Sequence, residues 1–324
     1  MRNTLEVMVE GIWRQGEGNL AVRLTAPDGA ALPGWSPGAH IDVHLPGGLV
    51  RQYSLTGNPA SRRGYLICVA RDPDSRGGSR YIHESLRPGQ RLTISAPRNL
   101  FPLEKADRVV LMAAGIGITP LYAMARRLED AGVPFTLHYY VRHPEQAAFR
   151  YQLGHPFRFG DCTIYHSSAG ESPRHTLPEA LTRPATGTRL YLCGPDGFMD
   201  HVRQSALTRG WSPENIHSEA FQPPAPSAPA SSDNAFTVTL ASTGQRWPVA
   251  ADQTIARVLL DNGIDVPLSC EMGICGACLT PVTEGTVDHR DSVQSAAEKS
   301  GPRQQVALCC SRSLTENLTI SLAP

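Results

Sequence analysis

Residues 269–279, SCEMGICGACL, decide the architecture of the C-terminal part of the chain. They space Cys270, Cys275 and Cys278 as C-x4-C-x2-C, and Cys309 follows after 30 intervening residues. An iron–sulfur cluster needs four thiolates converging on two irons, and one loop can supply three of them. The small residues Gly273, Gly276 and Ala277 let the backbone wrap closely and turn its N–H groups toward the sulfur atoms. Structural zinc, the competing occupant, usually pairs its ligands in two separated knuckles. The spacing therefore predicts a [2Fe–2S] cluster, with Cys309 and the adjacent Cys310 competing as fourth ligand.

Working outward, residues 235–250 alternate as a hairpin, 253–263 have helical spacing ending at Gly263, and 316–324 read as a last strand. That is a small α+β domain over 234–324. Before it lies QPPAPSAPASSD, 222–233, too poor in apolar residues to bury a core and predicted to be a semi-stiff spacer. Residues 105–221 alternate strand, Gly-rich turn and helix, which predicts a parallel α/β sheet. Residues 1–104 instead show short alternating runs such as AHIDVHL and QRLTIS, punctuated by Pro and Gly. They predict an antiparallel barrel or sandwich.

At 324 residues the chain is long enough for two or three cores. Its 30 basic and 30 acidic residues cancel, so no global field draws it to nucleic acid or an anionic membrane. No apolar run approaches the roughly 20 residues of a membrane span, and MRNTLEVMVEGIW lacks the pattern of a secretory signal. A cytoplasmic protein is expected, in which clustered thiols point to a metal centre rather than to disulfides.

Two further sites are marked. Arg51-Gln52-Tyr53-Ser54-Leu55 offers a cation, an aromatic face and a hydroxyl on one predicted strand, the groups a flavin requires. Alone it is also an ordinary half-exposed strand. Gly77-Gly78-Ser79-Arg80 before a helix would make a phosphate cradle, or simply a capping turn. For a nicotinamide dinucleotide, Gly115-Ile116-Gly117-Ile118-Thr119-Pro120 joins a strand to a helix, with Thr119 as expected N-cap and Pro120 as first helical residue. A plain strand–helix turn fits that stretch equally. Cys193-Gly194-Pro195 could pack a small side chain against a nicotinamide, or could bury a cysteine at a strand end. Arg142 could reach a phosphate or ribose, or remain a surface charge.

Taken together and in this order, R-Q-Y-S-L, G-G-S-R, G-I-G-I-T-P, C-G-P and C-x4-C-x2-C…C resemble the phthalate dioxygenase reductase family, which includes vanillate demethylase reductases. The resemblance spans essentially the whole chain. It implies a ferredoxin-reductase-like pair of domains followed by a β-grasp-type ferredoxin. It also implies FMN, with Arg51, Gly78 and Ser79 at the phosphate and Tyr53 and Ser54 at the ring. Phe221 would pack on the flavin, with Glu219 close by. C-C-S-R resembles the family's C-x-S-R and assigns Cys309 as fourth ligand. NADH is the implied donor, with NADPH left open by H-P-E-Q after Arg142. Hydride would pass to the flavin in a pocket shaped by Ser54, Cys193 and Phe221, and single electrons would pass through the cluster to a terminal oxygenase of the Rieske type. Alternatives are a cytochrome P450 partner, a flavin or nitric-oxide reductase with a ferredoxin tail, or a non-catalytic protein stabilised by zinc.

Overall fold

A computed structural model of the chain describes residues 4–61, 63–222, 234–294 and 296–322. The part of the expected spacer at 223–233 lies outside the described residues. The chain divides after Phe221 into two compact units.

The first unit begins with β1 (Thr4–Arg14), β2 (Asn19–Thr25), β3 (Ala39–Leu45), β4 (Leu49–Thr56), β5 (Tyr65–Ala70), α1 (Gly78–Glu84), β6 (Arg91–Ser95) and β7 (Arg98–Asn99). The strands lie in the order β4-β5-β2-β1-β6-β3-β7, and β4 pairs back onto β3, so six of them close into an antiparallel barrel. Closure removes the exposed edges that an open sheet would leave. The core comes from alternate positions: Val7, Val22, Ile41, Leu55, Ile67 and Ile94 are all buried inside. Each such side chain contributes about 1.5–3 kcal/mol by leaving water.

The same unit continues with β8 (Arg108–Ala114), α2 (Ile118–Ala131), β9 (Phe135–Val141), α3 (Arg150–Leu153), β10 (Gly160–His166), α4 (Glu179–Thr182), β11 (Thr188–Cys193), α5 (Asp196–Thr208) and β12 (Ile216–Glu219). These strands form a parallel sheet in the order β10-β9-β8-β11-β12. The apolar run of β8 is explained by burial on both faces. Val109, Leu111 and Ala113 face one core with α2, while Val110, Met112 and Ala114 face another with α5. The chain reverses direction of sheet growth between β9 and β11, and crevices for ligands open beyond the strand C-termini at such a switch point.

One local expectation is corrected. Thr119 is not the N-cap of α2, because a tight turn over 115–117 already holds helical angles and α2 starts at Ile118 with Gly117 as its cap. The Thr119 hydroxyl instead donates to Ile116 O at 3.0 Å. Pro120 is then the third helical residue, still within the first turn, where its missing N–H leaves no bond unmade. Gly132 closes the helix in the left-handed conformation, φ 69°.

Barrel and parallel sheet are tied along a seam. Glu17 N donates to Glu145 O at 2.6 Å, Asn19 Nδ2 to Gln146 O at 3.1 Å, and Phe149 N to Gln15 Oε1 at 3.2 Å. Gly16 permits the approach, since a Cβ there would stand 2.8 Å from Ala147 O.

The second unit holds β13 (Phe236–Leu240), β14 (Arg246–Val249), α6 (Ile255–Asp261), β15 (Leu279–Glu284), β16 (Val287–Asp288), α7 (Ala296–Ser300), β17 (Gln305–Ala307), β18 (Arg312–Ser313) and β19 (Asn317–Ile320). The main sheet runs β14-β13-β19-β15-β17, with β13 and β19 parallel at its centre. Thr254 caps α6 by accepting from Arg257 N at 3.1 Å. This is a β-grasp arrangement. Among the described residues no helix is long and apolar enough to cross a membrane.

Candidate functional site

The cysteine loop between α6 and β15 turns through left-handed residues: Gly273 at φ 74°, Gly276 at 66° and, unusually for a residue with a side chain, Glu271 at 54°. These turns bring four sulfurs into mutual reach. Neighbouring Cys275, then Cys309, push the Cys270 thiol down, while Cys270 and then Cys278 push Cys309 up. Met272 N donates to Cys270 Sγ at 3.3 Å, and Ala277 N to Cys275 Sγ at 3.4 Å. Cys275, Cys278 and Cys309 are buried. Cys310 also neighbours Cys309, but its Sγ lies under Gly273, where a Cβ would stand 2.5 Å from it. Cys309 is thus the residue beside both Cys270 and Cys278. Four converging thiols with N–H groups aimed at them suit a two-iron cluster.

In the barrel, β4 presents its predicted residues on two sides. Arg51 lies across Gly78, whose Cβ, if present, would be 2.5 Å from Arg51 Cγ. The guanidinium donates to Val50 O at 2.8 Å and Arg76 O at 3.0 Å and pairs with no carboxylate among the described residues. Tyr53 is half-buried beside it, and burial pushes its phenol up, against the pull of Arg51. Arg51, Tyr53, Gly77 and Gly78 are therefore brought together, as a flavin phosphate and ring would need. Ser79 and Leu55 are not turned outward in the same way. Ser79 Oγ accepts from Asp72 N at 3.2 Å and donates to Ser75 Oγ at 2.9 Å within its own loop. Leu55 sits in the barrel core and offers only its backbone.

Ser54, on the other side of β4, is buried and meets the end of β12. Its hydroxyl hydrogen-bonds the Glu219 carboxyl, whose pKa burial pushes up to about 8 despite that bond. Glu219 keeps part of its surface exposed, yet its Oε2 is enclosed with no protein partner. Cys193 is fully buried alongside, and burial followed by Glu219 holds its thiol well above the usual range. Phe221 packs against the same core as Cys193. Ser54, Cys193 and Glu219 thus come together from three segments of the chain, and Glu219 Oε2 has no hydrogen-bond partner among the described residues.

A cleft of about 500 Å³ opens beyond the C-termini of β8 and β9. Of the predicted nucleotide residues, Gly115, Arg142 and Pro195 line it. Gly117 serves contact instead: a Cβ there would lie 2.2 Å from Cys193 O, so the two predicted loops touch. Gly194 is likewise packed, 2.9 Å from Ala114 Cβ by the same measure. Residues that sequence reasoning missed also line the cleft. Asn19 and Arg71 come from the barrel, Ser167 and Arg174 from the segment after β10, and Phe198 from α5. Tyr140 lines it too, stacked on Tyr165 at 4.5 Å. Phe198, three residues past Pro195, was within reach of helical spacing, but no sequence signal marks the barrel contributions.

Residues 238–314 match the family model for the 2Fe-2S iron-sulfur cluster binding domain. The chain is 44% identical over 320 residues to "Vanillate O-demethylase oxidoreductase" of Pseudomonas sp. (strain HR199 / DSM 7063), covering 98% of this chain and 100% of that one. It superposes on the phthalate dioxygenase reductase structure with a TM-score of 0.70 at 34% identity, covering 98% of both chains. It also matches an intact type IV self-sufficient cytochrome P450 monooxygenase, with a TM-score of 0.88 at 37% identity. That match covers 98% of this chain and spans 41% of the larger protein.

Proposed function

Because the chain belongs to the family that holds vanillate O-demethylase oxidoreductase and phthalate dioxygenase reductase, we propose that it is the reductase component of a Rieske-type oxygenase system, using NADH, FMN and a [2Fe–2S] cluster. The hydrogen bond of Ser54 to Glu219, with Cys193 beside that carboxyl, supports this reading, since it links strand β4 to the end of β12. When bound, the nicotinamide supplies a hydride, the flavin divides the electron pair, and the cluster takes one electron at a time.

The chain's own residues set the stage for these transfers. Arg51, with the backbone at Gly77 and Gly78, holds the flavin phosphate through charge-assisted hydrogen bonds. Tyr53 covers the ring, and Ser54 offers its hydroxyl at the ring edge. Glu219, protonated at neutral pH, keeps a proton beside Ser54 without adding charge. Phe221 would pack near a bound flavin, and the small side chain of Cys193 would leave room for a nicotinamide. Arg142, Arg71 and Arg174, which line the cleft, would meet a dinucleotide's phosphates and riboses. Cys270, Cys275, Cys278 and Cys309 hold the cluster.

The test is an anaerobic NADH titration of the purified chain, followed by absorbance and low-temperature EPR. Flavin absorbance should bleach, and the EPR signal of a reduced [2Fe–2S] cluster should appear. Flavin-loaded protein that lacks iron and sulfide, or that NADH leaves oxidised, would overturn the proposal. The likeness to the self-sufficient P450 favours a P450 partner as second reading, and turnover with each purified oxygenase separates the two.

A further inference from the structure

Behind the cysteine loop lies a buried charged network. Asp291 has a fully enclosed side chain. Its Oδ2 accepts from Gln294 N at 3.0 Å, and its Oδ1 from Gln294 Nε2 at 3.2 Å and Ser311 Oγ at 3.3 Å. Lys299 Nζ stands 3.8 Å from Oδ2 and also donates to Asp291 O. His289 Nδ1 stands 3.5 Å from Oδ1. The same segment grips the loop: Ser292 N and Val293 N both donate to Gly273 O, at 3.0 and 3.3 Å. Gly273 lies between Cys270 and Cys275, and a Cβ on it would be 3.0 Å from Asp291 Cα.

A network of this kind is more than packing. Hydrogen bonds to uncharged partners would fix the loop as well, and burying an ion pair recovers little net stability. What the pair does supply is a fixed field at the place where charge changes, weakly screened at the enclosed Asp291 and more so at Lys299, which is 26% exposed. Adding an electron to a thiolate-bound cluster adds a negative charge, which the Asp291 carboxylate opposes and the Lys299 ammonium favours.

We propose that the ion pair of the enclosed Asp291 with the partly exposed Lys299, seated against Gly273, sets the reduction potential of the cluster held by the cysteine loop. The two act as positioning residues and not as ligands. The inference rests on the cluster assigned under the proposed function and names the charges that tune it. The distinguishing property is sign: removing each partner shifts the potential in opposite directions, which a loss of packing alone does not do.

The experiment uses the full chain carrying Asp291→Asn or Lys299→Met, with Lys299→Arg as the conservative control. Iron and acid-labile sulfide are counted first, and the cluster is then titrated electrochemically with EPR detection. Asp291→Asn should favour the reduced cluster by about tenfold, a rise of about 59 mV for one electron. Lys299→Met should shift it the other way by a smaller factor, since Lys299 is partly exposed and more screened, and Lys299→Arg should hold the parent value. If Asp291→Asn fails to load, the direction of the Lys299→Met shift decides. Loaded variants with the parent potential, shifts of the same sign, or loss of the cluster from both variants would each overturn the inference. Parent protein without iron and sulfide would overturn the proposed function, and this inference with it, before any substitution is made.

Discussion

Glu219→Gln should flatten a pH dependence of stability that the wild type carries. The Glu219 carboxyl moves from an ordinary value of 4.5 to about 8 in the folded chain, chiefly through burial. Between those values the folded state keeps a proton that the unfolded chain releases. Its contribution is therefore fully present below about pH 4.5 and is lost as pH rises through about 8. At about 1.36 kcal/mol per unit, the whole span sets a ceiling of about 5 kcal/mol. Glu219 keeps partial exposure, so roughly half that ceiling is expected once solvent screening is counted. His138, held down to about 4 by burial, works the other way, adding stability as pH climbs toward 6.5. It does so in both proteins and cancels in their difference. Three of the four tryptophans, Trp13, Trp35 and Trp211, belong to the first unit, so urea unfolding read by fluorescence reports on it. From pH 5 to 8 the wild type should lose about 2–3 kcal/mol relative to the variant. Curves that stay parallel within about 0.5 kcal/mol would refute the enclosed, protonated carboxyl.

Two further outcomes follow from close contacts. Gly117→Ala would drive a methyl group onto the Cys193 carbonyl, and should lower the stability of the first unit by about 1–3 kcal/mol in the same unfolding assay. It should also weaken NADH binding, measured by the dependence of flavin bleaching on NADH concentration. In the cysteine loop, Cys309→Ser should abolish the cluster's absorbance and EPR signal, whereas Cys310→Ser should retain both. The reverse pattern would make Cys310 the fourth ligand.

Much of this was legible in the sequence, for reasons that differ by element. The barrel strands announce themselves because one face is wet and the other dry, so AHIDVHL alternates. β8 is readable for the opposite reason: it is dry on both faces, and its apolar run is continuous. The cysteine loop is local, and its spacing alone encodes the convergence. The start of α2 is the exception, because Thr119 has the chemistry of a cap while the preceding helical turn moves the boundary to Ile118. The cleft was the least legible part. Its walls come from segments more than a hundred residues apart, such as Asn19 and Arg142, and no periodicity links them. Glu219 shows the same limit, since only the fold brings Ser54 to it and deprives its Oε2 of a partner.

The hydrogen bonds joining the β1–β2 turn to the segment around Glu145–Phe149 bear on how the dinucleotide comes and goes. Asn19 and Gln146 belong both to this weld and to the cleft lining, so the two jaws are riveted at the spot where they would otherwise hinge. A dinucleotide bound in that cleft, as proposed above, would meet walls already tied together and would spend little of its binding energy on rearranging them.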